Sequence, residues 1–576
     1  MKHWTLADTP DGIAGELARQ ALLPLPLARW LAARGVTSAA EADRFLNPRL
    51  SDFADPFLIP GMNAAVDRIW KAIHEDSPIV VYGDYDVDGV TSAALMSLVL
   101  TRLGARVTRY LPSRMEEGYG LGVEAVERCI KADNPGLIIT TDCGSGSHAA
   151  VATARACGVD VVVTDHHEIG ADGPAAAVAV VNPKLGTDPS ARVLAGVGVA
   201  FKVCYALLKQ GREQRRKKAG DLDLRDYLDL VALGTVSDMV PMRHENRILV
   251  RHGLAQLNRR ERIGLNALAD VAGIKGEMGA YHVGFVLGPR MNAAGRMGDA
   301  GDALELLLTV DEAEAMRLAE RLEETNRDRK KIESDIMAAA IRQVEAHPDP
   351  ARRSGIVVGD RGWHVGVIGI VASRLVSRYG CPAIVVGFDD AGLGRGSCRS
   401  IEGFDLLSGL GQCRDWLNRY GGHEMAAGLE VAQDRFAAFQ QAFRDACSAS
   451  LEGRDPTRTL ELQGWVTLAE ILEKPFQEIS TRLGPFGEGN PEPLWGLRGV
   501  QILGPPKVVG QAHLKLRVGQ GAQACDAIGF NMADRLADFP EGPLDLACLL
   551  RTNTYLGRTS PQLHLQDFRE SEAAPG

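Results

Sequence analysis

Residues 79–104 read IVVYGDYDVDGVTSAALMSLVLTRLG, and the order of residue types within them decides the fold class. The β-branched run 79–83 predicts a strand, and the apolar stretch 90–103 predicts a helix that ends at Gly104. The loop between them, GDYDVDG, places three aspartates at alternate positions. A strand that passes through a short loop into a helix is the repeating unit of a parallel sheet covered by helices.

The same unit returns further along the chain. Apolar runs predict further strands at 106–111, 137–141, 159–164 and 175–181, with helical segments between and after them. Continuous apolar strands that alternate with helices are typical of a sheet buried on both faces. We therefore predict an α/β fold with a doubly wound parallel sheet.

The length of 576 residues exceeds what one hydrophobic core supports and predicts three or four domains. The highly charged run 311–346 predicts a long helix between domains. A second, smaller α/β unit is expected from Gly355, and short strand-like runs near the C-terminus predict a small β-barrel or sandwich. The expected domains are a helical segment at 1–48, an α/β domain at 49–265, a connecting helical region at 266–350, a second α/β domain at 351–455, and a β domain with a tail at 456–576.

Composition excludes several classes of protein. The net charge of -10 argues against a surface coated with basic residues for indiscriminate DNA binding, although a local basic groove remains compatible with it. No apolar run approaches the roughly 18 residues that a membrane span needs, so we expect a cytoplasmic protein without a membrane partner. The ten cysteines are scattered singly, which argues against a zinc site or a disulfide framework.

Acidic and histidine side chains follow three of the predicted strands. Besides GDYDVDG, Asp142 ends the strand at 137–141, and Asp165-His166-His167 ends the strand at 159–164. Because parallel strands present their carboxyl ends along one edge, these groups are expected to converge. A solvated loop with helix-capping aspartates is the plain alternative. A calcium EF-hand is excluded, because its bidentate glutamate position falls on Leu95.

Aspartate oxygens combined with an imidazole suit Mn²⁺ or Mg²⁺ better than a structural zinc. Two such ions about 3.5–4 Å apart can activate water and neutralise the charge of a phosphoryl displacement. The sequence therefore predicts metal-assisted hydrolysis. Neither a Walker A loop nor a GxSxG elbow competes for this role.

At these residues the chain resembles the DHH phosphoesterase superfamily, whose signature is the run at 165–167, and within it the RecJ-type exonucleases. The matching phrases appear in the expected order: YGDYDVDGVTS, SRMEEGYG, TDCG, VSDMVP, GPRMNAAGR, GRGSCRS, YGGHEMAAG and GPFGEGNPEP. The GGH phrase is similar to the DHHA1 domain that accompanies DHH domains. The terminal β domain resembles an OB-fold, a common groove for single strands.

The resemblance implies a set of site residues. The metal ligands would be Asp86, Asp88, Asp142, His166 and Asp238, with Asp84 as a further candidate. Asp142 would bridge two ions, His167 would face substrate or water, and Asp165 would orient the neighbouring imidazole. Residues expected to contact nucleic acid are Arg114, Tyr119, Asn292, Arg296, Ser397, Arg399, Gly422, His423, Lys507, Lys515 and Arg517. Ser397 and Arg399 are expected to lie in a flexible glycine-rich loop, GRGSCRS.

The resemblance also implies a function. It predicts a 5′ to 3′ exonuclease of single-stranded DNA that uses two Mn²⁺ or Mg²⁺ ions and acts in repair and recombination, with a single-strand-binding protein and a helicase as expected partners. One alternative is a DHH phosphodiesterase of short oligonucleotides or cyclic dinucleotides. Another is a replication scaffold that binds DNA without cutting it.

Overall fold

The computed structural model describes residues 2–8, 11–114, 117–118, 120–346, 354–451, 459–510, 512–540, 542–555 and 558–571. The strands are β1 His3–Leu6, β2 Ile79–Tyr82, β3 Val107–Tyr110, β4 Leu137–Thr141, β5 Asp160–Thr164, β6 Ala179–Val181, β7 Ile356–Arg361, β8 Ala383–Phe388, β9 Leu393–Arg399, β10 Arg419–Gly422, β11 Ala426–Ala432, β12 Thr459–Leu462, β13 Gly464–Trp465, β14 Trp495–Ile502, β15 Lys507–Val509, β16 His513–Gln520, β17 Gln523–Gly529, β18 Leu544–Tyr555 and β19 Arg558–Glu570.

The α-helices are α1 Asp11–Ala21, α2 Leu25–Ala32, α3 Ala39–Leu46, α4 Met62–His74, α5 Val87–Leu103, α6 Val123–Asp133, α7 His148–Ala156, α8 Gly196–Glu213, α9 Lys217–Gly220, α10 Leu228–Ser237, α11 His244–Leu257, α12 Ile263–Val271, α13 Ala280–His282, α14 Gly288–Met297, α15 Gly301–Leu308, α16 Glu312–Glu345, α17 Ile368–Tyr379, α18 Leu406–Gln412, α19 Phe436–Ser450, α20 Leu468–Leu472 and α21 Lys474–Arg482. A π-helical turn, Val283–Leu287, joins α13 to α14. Among the described helices, none is long and apolar enough to cross a membrane.

The first sheet has the strand order β3-β2-β4-β5-β6, and every pairing in it is parallel. The central strands β2 and β4 are buried along their whole length, and alternate residues in them point to opposite faces of the sheet. Val81 and Ile139 pack into one hydrophobic core, whereas Val80 and Ile138 pack into the other. The predicted doubly wound parallel sheet is confirmed, and its carboxyl edge carries the acidic loops.

The core on the first side of the sheet continues through α12 and α15 to Leu322 of α16. That helix spans 34 residues and was predicted as a long connector. Its second half packs Ile336 and Ala340 against β7 and α17 of the next domain. One rigid helix therefore links the two α/β domains.

The second sheet has the order β10-β11-β9-β8-β7 and corrects one expectation. The glycine-rich phrase GRGSCRS was expected to form a loop, but it lies in β9, which pairs antiparallel with both β8 and β11. A Cβ atom on Gly394 would lie 2.5 Å from a ring carbon of Phe388, and one on Gly396 would lie 2.7 Å from Leu429. Glycine is required at these positions because side chains of the neighbouring strands pack closely against the backbone of β9. Pairing with β8 and β11 outweighs the low strand propensity of glycine.

The C-terminal sheet has the order β13-β14-β18-β19-β17-β16-β15, and an added pairing of β14 with β16 closes it into a barrel. The N-terminal segment packs on this barrel, with Leu27, Trp30 and Leu31 in the same core as Trp495 and Leu497. Its first residues form β1, a strand parallel to β12, where only helices were expected. A strand of four residues is too short to show a clear alternation of apolar and polar residues, so the sequence alone does not predict it.

Arg247 of α11 joins three parts of the chain. Its guanidinium is almost fully buried and donates to the backbone carbonyls of Phe45, Leu483 and Arg482 at 3.0, 2.8 and 2.9 Å. Burial and the nearby Arg251 lower the pKa of Arg247 to about 9. A single cation thus fixes the first α/β domain to the end of α3 and to the end of α21.

We expect Arg247→Lys to lower the apparent Tm, because an ammonium group cannot reach three carbonyls in a planar fan. The free energy of unfolding should fall by about 3 kcal/mol, which is the contribution of one or two hydrogen bonds to a charged group. Thermal unfolding measures it, with the exposed Arg44→Ala as the matched control. Equal melting temperatures for Arg247→Lys and the wild type would contradict this role.

Candidate metal centre

Three aspartates follow β2 closely: Asp84 lies in the loop, Asp86 is the N-cap of α5, and Asp88 lies in the first turn of that helix. Asp86 caps α5 by accepting from the backbone N–H of Gly89 at 3.0 Å. Asp84 accepts from the N–H of Tyr85 at 2.8 Å. A Cβ on Gly89 would lie 2.5 Å from the Asp84 nitrogen, so glycine is required for this closure.

Asp88 points away from its own loop, towards the first turn of α8. Its two carboxylate oxygens accept from the backbone N–H groups of Gly196 and Val197 at 2.6 and 2.9 Å. Unpaired N–H groups and the positive end of a helix dipole stabilise a carboxylate in this position. The acidic loop is therefore fastened to an element that lies 108 residues further along the sequence.

Asp142 follows β4 in a left-handed backbone conformation, with φ of 65°. This conformation is tolerated best by aspartate, asparagine and glycine. A Cβ on Gly196 would lie 2.5 Å from Oδ1 of Asp142, so the glycine that binds Asp88 also leaves room for Asp142. The two carboxylates meet at the start of α8.

Asp165 orients His167 rather than His166. Its Oδ1 contacts Nδ1 of His167 at 2.8 Å, and its Oδ2 accepts from the N–H of Ser145 at 2.9 Å. Burial raises the pKa of Asp165, but the hydrogen bond and charge of His167 outweigh it and lower the pKa overall. Burial lowers the pKa of His167, and the contact with Asp165 raises it above its usual value.

His166 turns its Nε2 atom into the cluster. That atom lies 3.1 Å from Oδ1 of Asp142, 3.7 Å from Oδ2 of Asp238 and 3.8 Å from Oδ2 of Asp88. Burial and the neighbouring His167 lower the pKa of His166 to about 4. The imidazole is therefore neutral near pH 7, the state in which it can bind a metal ion.

Seven side chains form three overlapping groups of potential ligands, each with its ligand atoms within 4.8 Å of one another. Asp142 belongs to two groups, and His166 also belongs to two. The groups are Asp84 with Asp86 and Asp142, Asp88 with His166 and Asp238, and Asp142 with His166 and His167. The structure thus brings together every residue proposed from the sequence as a metal ligand.

The carboxylates are electrostatically strained in the absence of a cation. Burial first, and repulsion from neighbouring aspartates second, raise the pKa of Asp84 and Asp88 to about 7 and that of Asp238 to about 9. The same two causes raise the pKa of Asp142 well above its usual range. Repulsion of this kind is relieved when a cation binds among the carboxylates.

Four buried atoms of the cluster make no hydrogen bond to the described residues. They are Oδ2 of Asp84, Oδ1 of Asp142, Oδ2 of Asp238 and Nε2 of His166. Buried polar atoms without partners are rare because each costs free energy, and an ion is one of the explanations for them. A hard oxygen-rich set with one imidazole fits Mn²⁺ or Mg²⁺.

An asparagine and two arginines lie close to the acidic loop. Asn292 accepts from the N–H of Val87 at 3.1 Å, so it braces the acidic loop. The guanidinium of Arg114 lies 5.1 Å from the ring centre of Tyr85. Burial and the charge of Arg114 lower the pKa of Arg296 to about 10. Tyr119 lies outside the described residues.

Ser397 and Arg399 lie on β9, against the first turn of α17. A Cβ on Gly369 would lie 2.9 Å from Oγ of Ser397 and 3.3 Å from a terminal nitrogen of Arg399. Arg399 itself donates to Oγ of Ser397 at 3.2 Å. A guanidinium, a hydroxyl and a helix N-terminus are thus gathered at one point, a combination suited to phosphate.

Gly422 and His423 belong to the exposed hairpin of β10 and β11. Gly422 has φ of 147°, and a Cβ there would lie 2.5 Å from the carbonyl oxygen of Ala426. Lys184 and, less strongly, Arg192 and His423 lower the pKa of Glu168, which follows His167 in the sequence.

Lys507, Lys515 and Arg517 are on the barrel, apart from the metal ligands. Sequence reasoning missed other contributors to the centre itself. The N–H groups of Gly196 and Val197 bind Asp88, and Ser145 binds Asp165. A glycine and a valine at the start of an apolar helix give no chemical signal, because their role depends on distant packing.

Three domain families match the chain. Residues 78–235 match the DHH family N-terminal domain, residues 353–449 the DHHA1 domain, and residues 463–567 the RecJ OB domain. The single-stranded-DNA-specific exonuclease RecJ of Bacillus subtilis (strain 168) is 36% identical over 575 residues, which are 99% of this chain and 71% of that protein. The RecJ of Escherichia coli (strain K12) is 37% identical over 566 residues, 95% of this chain and 96% of that protein.

Solved structures agree with these matches. The crystal structure of RecJ in complex with Mn²⁺ from Thermus thermophilus has a TM-score of 0.83 at 30% identity, over 99% of this chain and 80% of that chain. A crystal structure of exonuclease RecJ bound to manganese has a TM-score of 0.60 at 34% identity, over 71% of this chain and 98% of that chain. The α/β domains with their connecting helix and β-barrel are therefore a shared architecture.

We expect Gly196→Ala to weaken Mn²⁺ binding by at least roughly tenfold, as loss of outer support does at metal sites. The added methyl would lie 2.5 Å from Oδ1 of Asp142 and would displace that carboxylate. The rise in Tm with Mn²⁺ concentration measures the affinity. Gly198→Ala, in the same turn and contacting only the side chain of Leu194, is the matched control and should titrate like the wild type. Equal titrations for both variants would contradict the arrangement.

Proposed function

This chain belongs to the RecJ family of the DHH superfamily, and from that premise we propose that it is a 5′ to 3′ exonuclease of single-stranded DNA. The observation that carries the proposal is the set of four buried ligand atoms, on Asp84, Asp142, His166 and Asp238, that lack hydrogen-bond partners among the described residues. Relatives that are named single-stranded-DNA-specific exonucleases supply the substrate class.

We assign the metal ligands to two neighbouring positions. Asp84 and Asp86 would hold one ion, and Asp88, His166 and Asp238 the other, with Asp142 between them. When bound, two divalent cations supply an activated water and neutralise charge that develops on the phosphate. Their number is part of the proposal, whereas the use of Mn²⁺ or Mg²⁺ follows from the ligand chemistry.

Asp165 and His167 form a contact on the side of the centre that would face the substrate. The contact at Nδ1 fixes the ring orientation of His167, and the side chain remains 43% exposed. A ring held in this way can contact the attacked phosphate or the attacking water, and Asp165 stabilises its protonated form. His166 stays neutral under the same conditions because it is buried.

We attribute the 5′ to 3′ direction of digestion to binding of the 5′ end of the strand in the cleft between the two α/β domains. Ser397 and Arg399, which lie on β9 against the first turn of α17, would bind the 5′-terminal phosphate, with Arg296 and His423 as further proposed contacts. A terminal phosphate carries more negative charge than an internal diester, so a guanidinium fork selects it. An enzyme that holds the 5′ end at this point removes nucleotides in the 5′ to 3′ direction.

Roles in DNA repair and recombination, a cytoplasmic location, and contacts with a single-strand-binding protein and a helicase belong to the same proposal. The barrel argues against a phosphodiesterase of very short or cyclic dinucleotides, because such substrates do not need a third binding domain. A scaffold without catalysis is disfavoured, because every proposed ligand is in place.

The direct test is Mn²⁺-dependent digestion of single-stranded and duplex DNA labelled at one end. We expect the label at the 5′ end of the single strand to be released first, as a small product. Asp142→Asn should lower the rate by more than the roughly 10- to 100-fold typical of an outer-shell change. Binding should persist, because it depends on remote basic contacts. The exposed Asp226→Asn is the control, and full activity of Asp142→Asn would contradict the site assignment.

We expect Arg399→Ala to reduce the preference for 5′-phosphorylated over 5′-hydroxyl strands. Loss of one charge-assisted contact should cost about 1.5–3 kcal/mol, roughly ten- to a hundredfold in the ratio of kcat/KM values. Both substrates are measured at one salt concentration, since backbone binding depends on salt. Arg395→Ala, on the same strand and beside Glu430, is the matched control. An unchanged ratio in a folded Arg399→Ala variant would move end recognition elsewhere.

A further inference from the structure

The buried face of α16 changes from apolar to polar in the middle of the helix. Its buried residues are apolar up to Leu322 and apolar again from Ile336, but the three between them are Asn326, Arg329 and Glu333. Their spacing of three and four residues keeps all of them on one face of the helix. Because burying polar side chains costs free energy unless they are paired, this change of character needs a reason.

The polar segment lies where α16 passes from one domain to the next. Leu322 belongs to the core of the first α/β domain, and Ile336 belongs to the core of the second. The helix rises roughly 21 Å between these two residues. The polar segment therefore spans the boundary between the domain that holds the metal centre and the domain that holds Ser397 and Arg399.

Glu333 is paired with two arginines. Its Oε2 accepts from Nη1 of Arg329 at 2.9 Å, and its Oε1 lies 2.5 Å from Nη2 of Arg374 on α17. Arg329 also donates to Oδ1 of Asn326 at 2.9 Å. The side chain of Glu333 is 1% exposed, whereas that of Arg374 is 59% exposed. One buried carboxylate thus joins the middle of α16 to α17.

Helix α17 forms one wall of the proposed site for the terminal phosphate. Gly369 in its first turn lies so close to Ser397 and Arg399 that an added Cβ would be 2.9 Å from Oγ of Ser397. Arg374 is five residues further on, which is roughly 7.5 Å along the helix axis. Since α17 is one continuous helix of 12 residues, a shift at Arg374 would move the first turn with it.

A second ion pair joins α16 to the side of the metal centre. Nε of Arg290, on α14, lies 2.6 Å from Oε2 of Glu323 on α16. The same α14 carries Asn292, which accepts from the backbone N–H of Val87 in the acidic loop. Glu323 and Glu333 are ten residues apart on one helix, or roughly 15 Å. One carboxylate of α16 thus contacts the helix that braces the acidic loop, and the other contacts the helix beside the site for the terminal phosphate.

A polar segment fixes the relative position of packed helices more strictly than an apolar one. Apolar side chains can pack in several relative positions, whereas a buried ion pair requires a specific geometry. Setting register between packed helices is the best-attested use of buried polar groups. The cost of burying Arg329 and Glu333 is therefore explained by a need to hold two parts of the site at a fixed distance.

We propose that Glu333, with Arg329 and Arg374, is a positioning residue that sets the distance from the terminal-phosphate site to the metal centre, and thereby the number of nucleotides released at each cut. A strand held at its 5′ end presents to the metal centre the phosphodiester that lies at this distance. A constant distance gives a product of constant length. This inference rests on the proposed function, since it needs a strand that is held at its 5′ end and cut at the metal centre.

Another ion pair between the same two helices supplies the matched control. Nη2 of Arg378 lies 3.6 Å from Oε1 of Glu345, and both side chains are more than half exposed. Arg378 is one turn further from Gly369 than Arg374 is, and Glu345 is the last residue of α16. Exposed pairs of this kind contribute little to stability. An effect at Arg374 that is absent at Arg378 therefore identifies the contact with Glu333 rather than general attachment of α17.

The test is the length of the first product released from a single strand labelled on its 5′ phosphate, with Mn²⁺ present. For the wild type we expect labelled product of one length. For Arg374→Gln we expect a mixture of lengths, because the bound 5′ end can shift relative to the metal centre. We also expect kcat to fall by up to roughly a hundredfold, the effect of a displacement of about 1 Å. Arg374→Lys keeps the cation and should restore the single length, and Arg378→Gln should match the wild type.

A double variant, Glu333→Gln with Arg374→Gln, tests whether the two residues act together. Because both substitutions break the same contact, we expect the double variant to give the same mixture of lengths as Arg374→Gln alone. Melting temperatures verify that each variant is folded. A variant that is only less stable has a smaller active fraction, and the length of its product is unchanged.

A product of one wild-type length from folded Arg374→Gln would overturn the positioning role, as would a mixture of lengths from the wild type. Equal mixtures from Arg374→Gln and Arg378→Gln would also overturn it, since any attachment of α17 would then suffice. Absence of hydrolysis by the wild type would overturn the proposed function and this inference with it. Hydrolysis to one length by the wild type and by every variant would overturn only this inference.

Discussion

The first turn of α8 is the point on which the site depends. Its N–H groups hold both oxygens of Asp88, and the missing side chain of Gly196 leaves room for Asp142. Without this turn, carboxylates from separate strand ends would repel one another and move apart. The helix dipole and the two hydrogen bonds offset part of the repulsion, and a divalent cation would offset the rest.

Ionising the clustered carboxylates costs free energy, and a bound cation removes this cost. The pKa values of Asp84, Asp88 and Asp238 are raised, so ionising these groups costs more in the folded chain than in the unfolded chain. Their contribution to stability is full below the unfolded pKa and is lost as the pH rises through about 7 to 9. Near neutral pH these carboxylates therefore destabilise the fold unless a cation binds among them.

The sequence predicted the features that are local or periodic. Apolar runs located the strands of the first sheet, and the strand ends brought Asp142 and His166 to the acidic loop. The resemblance added Asp238, which carries no signal of its own. Features that depend on packing between distant parts of the chain could not be predicted. The strand β9 forms because its glycines let neighbouring side chains approach, and β1 needs a partner strand that lies far along the chain. Gly196 matters only because Asp142 lies against it. The boundaries proposed between domains stay predictions.

The most direct test of the two-ion centre is a count of Mn²⁺ ions bound there, by isothermal titration and by a crystal structure grown with Mn²⁺. We expect two ions in the wild type, with Asp142 contacting both, and weakened binding at both positions in Asp142→Asn. Ions bound elsewhere, or a wild-type site that holds none when Mn²⁺ is in excess, would contradict it.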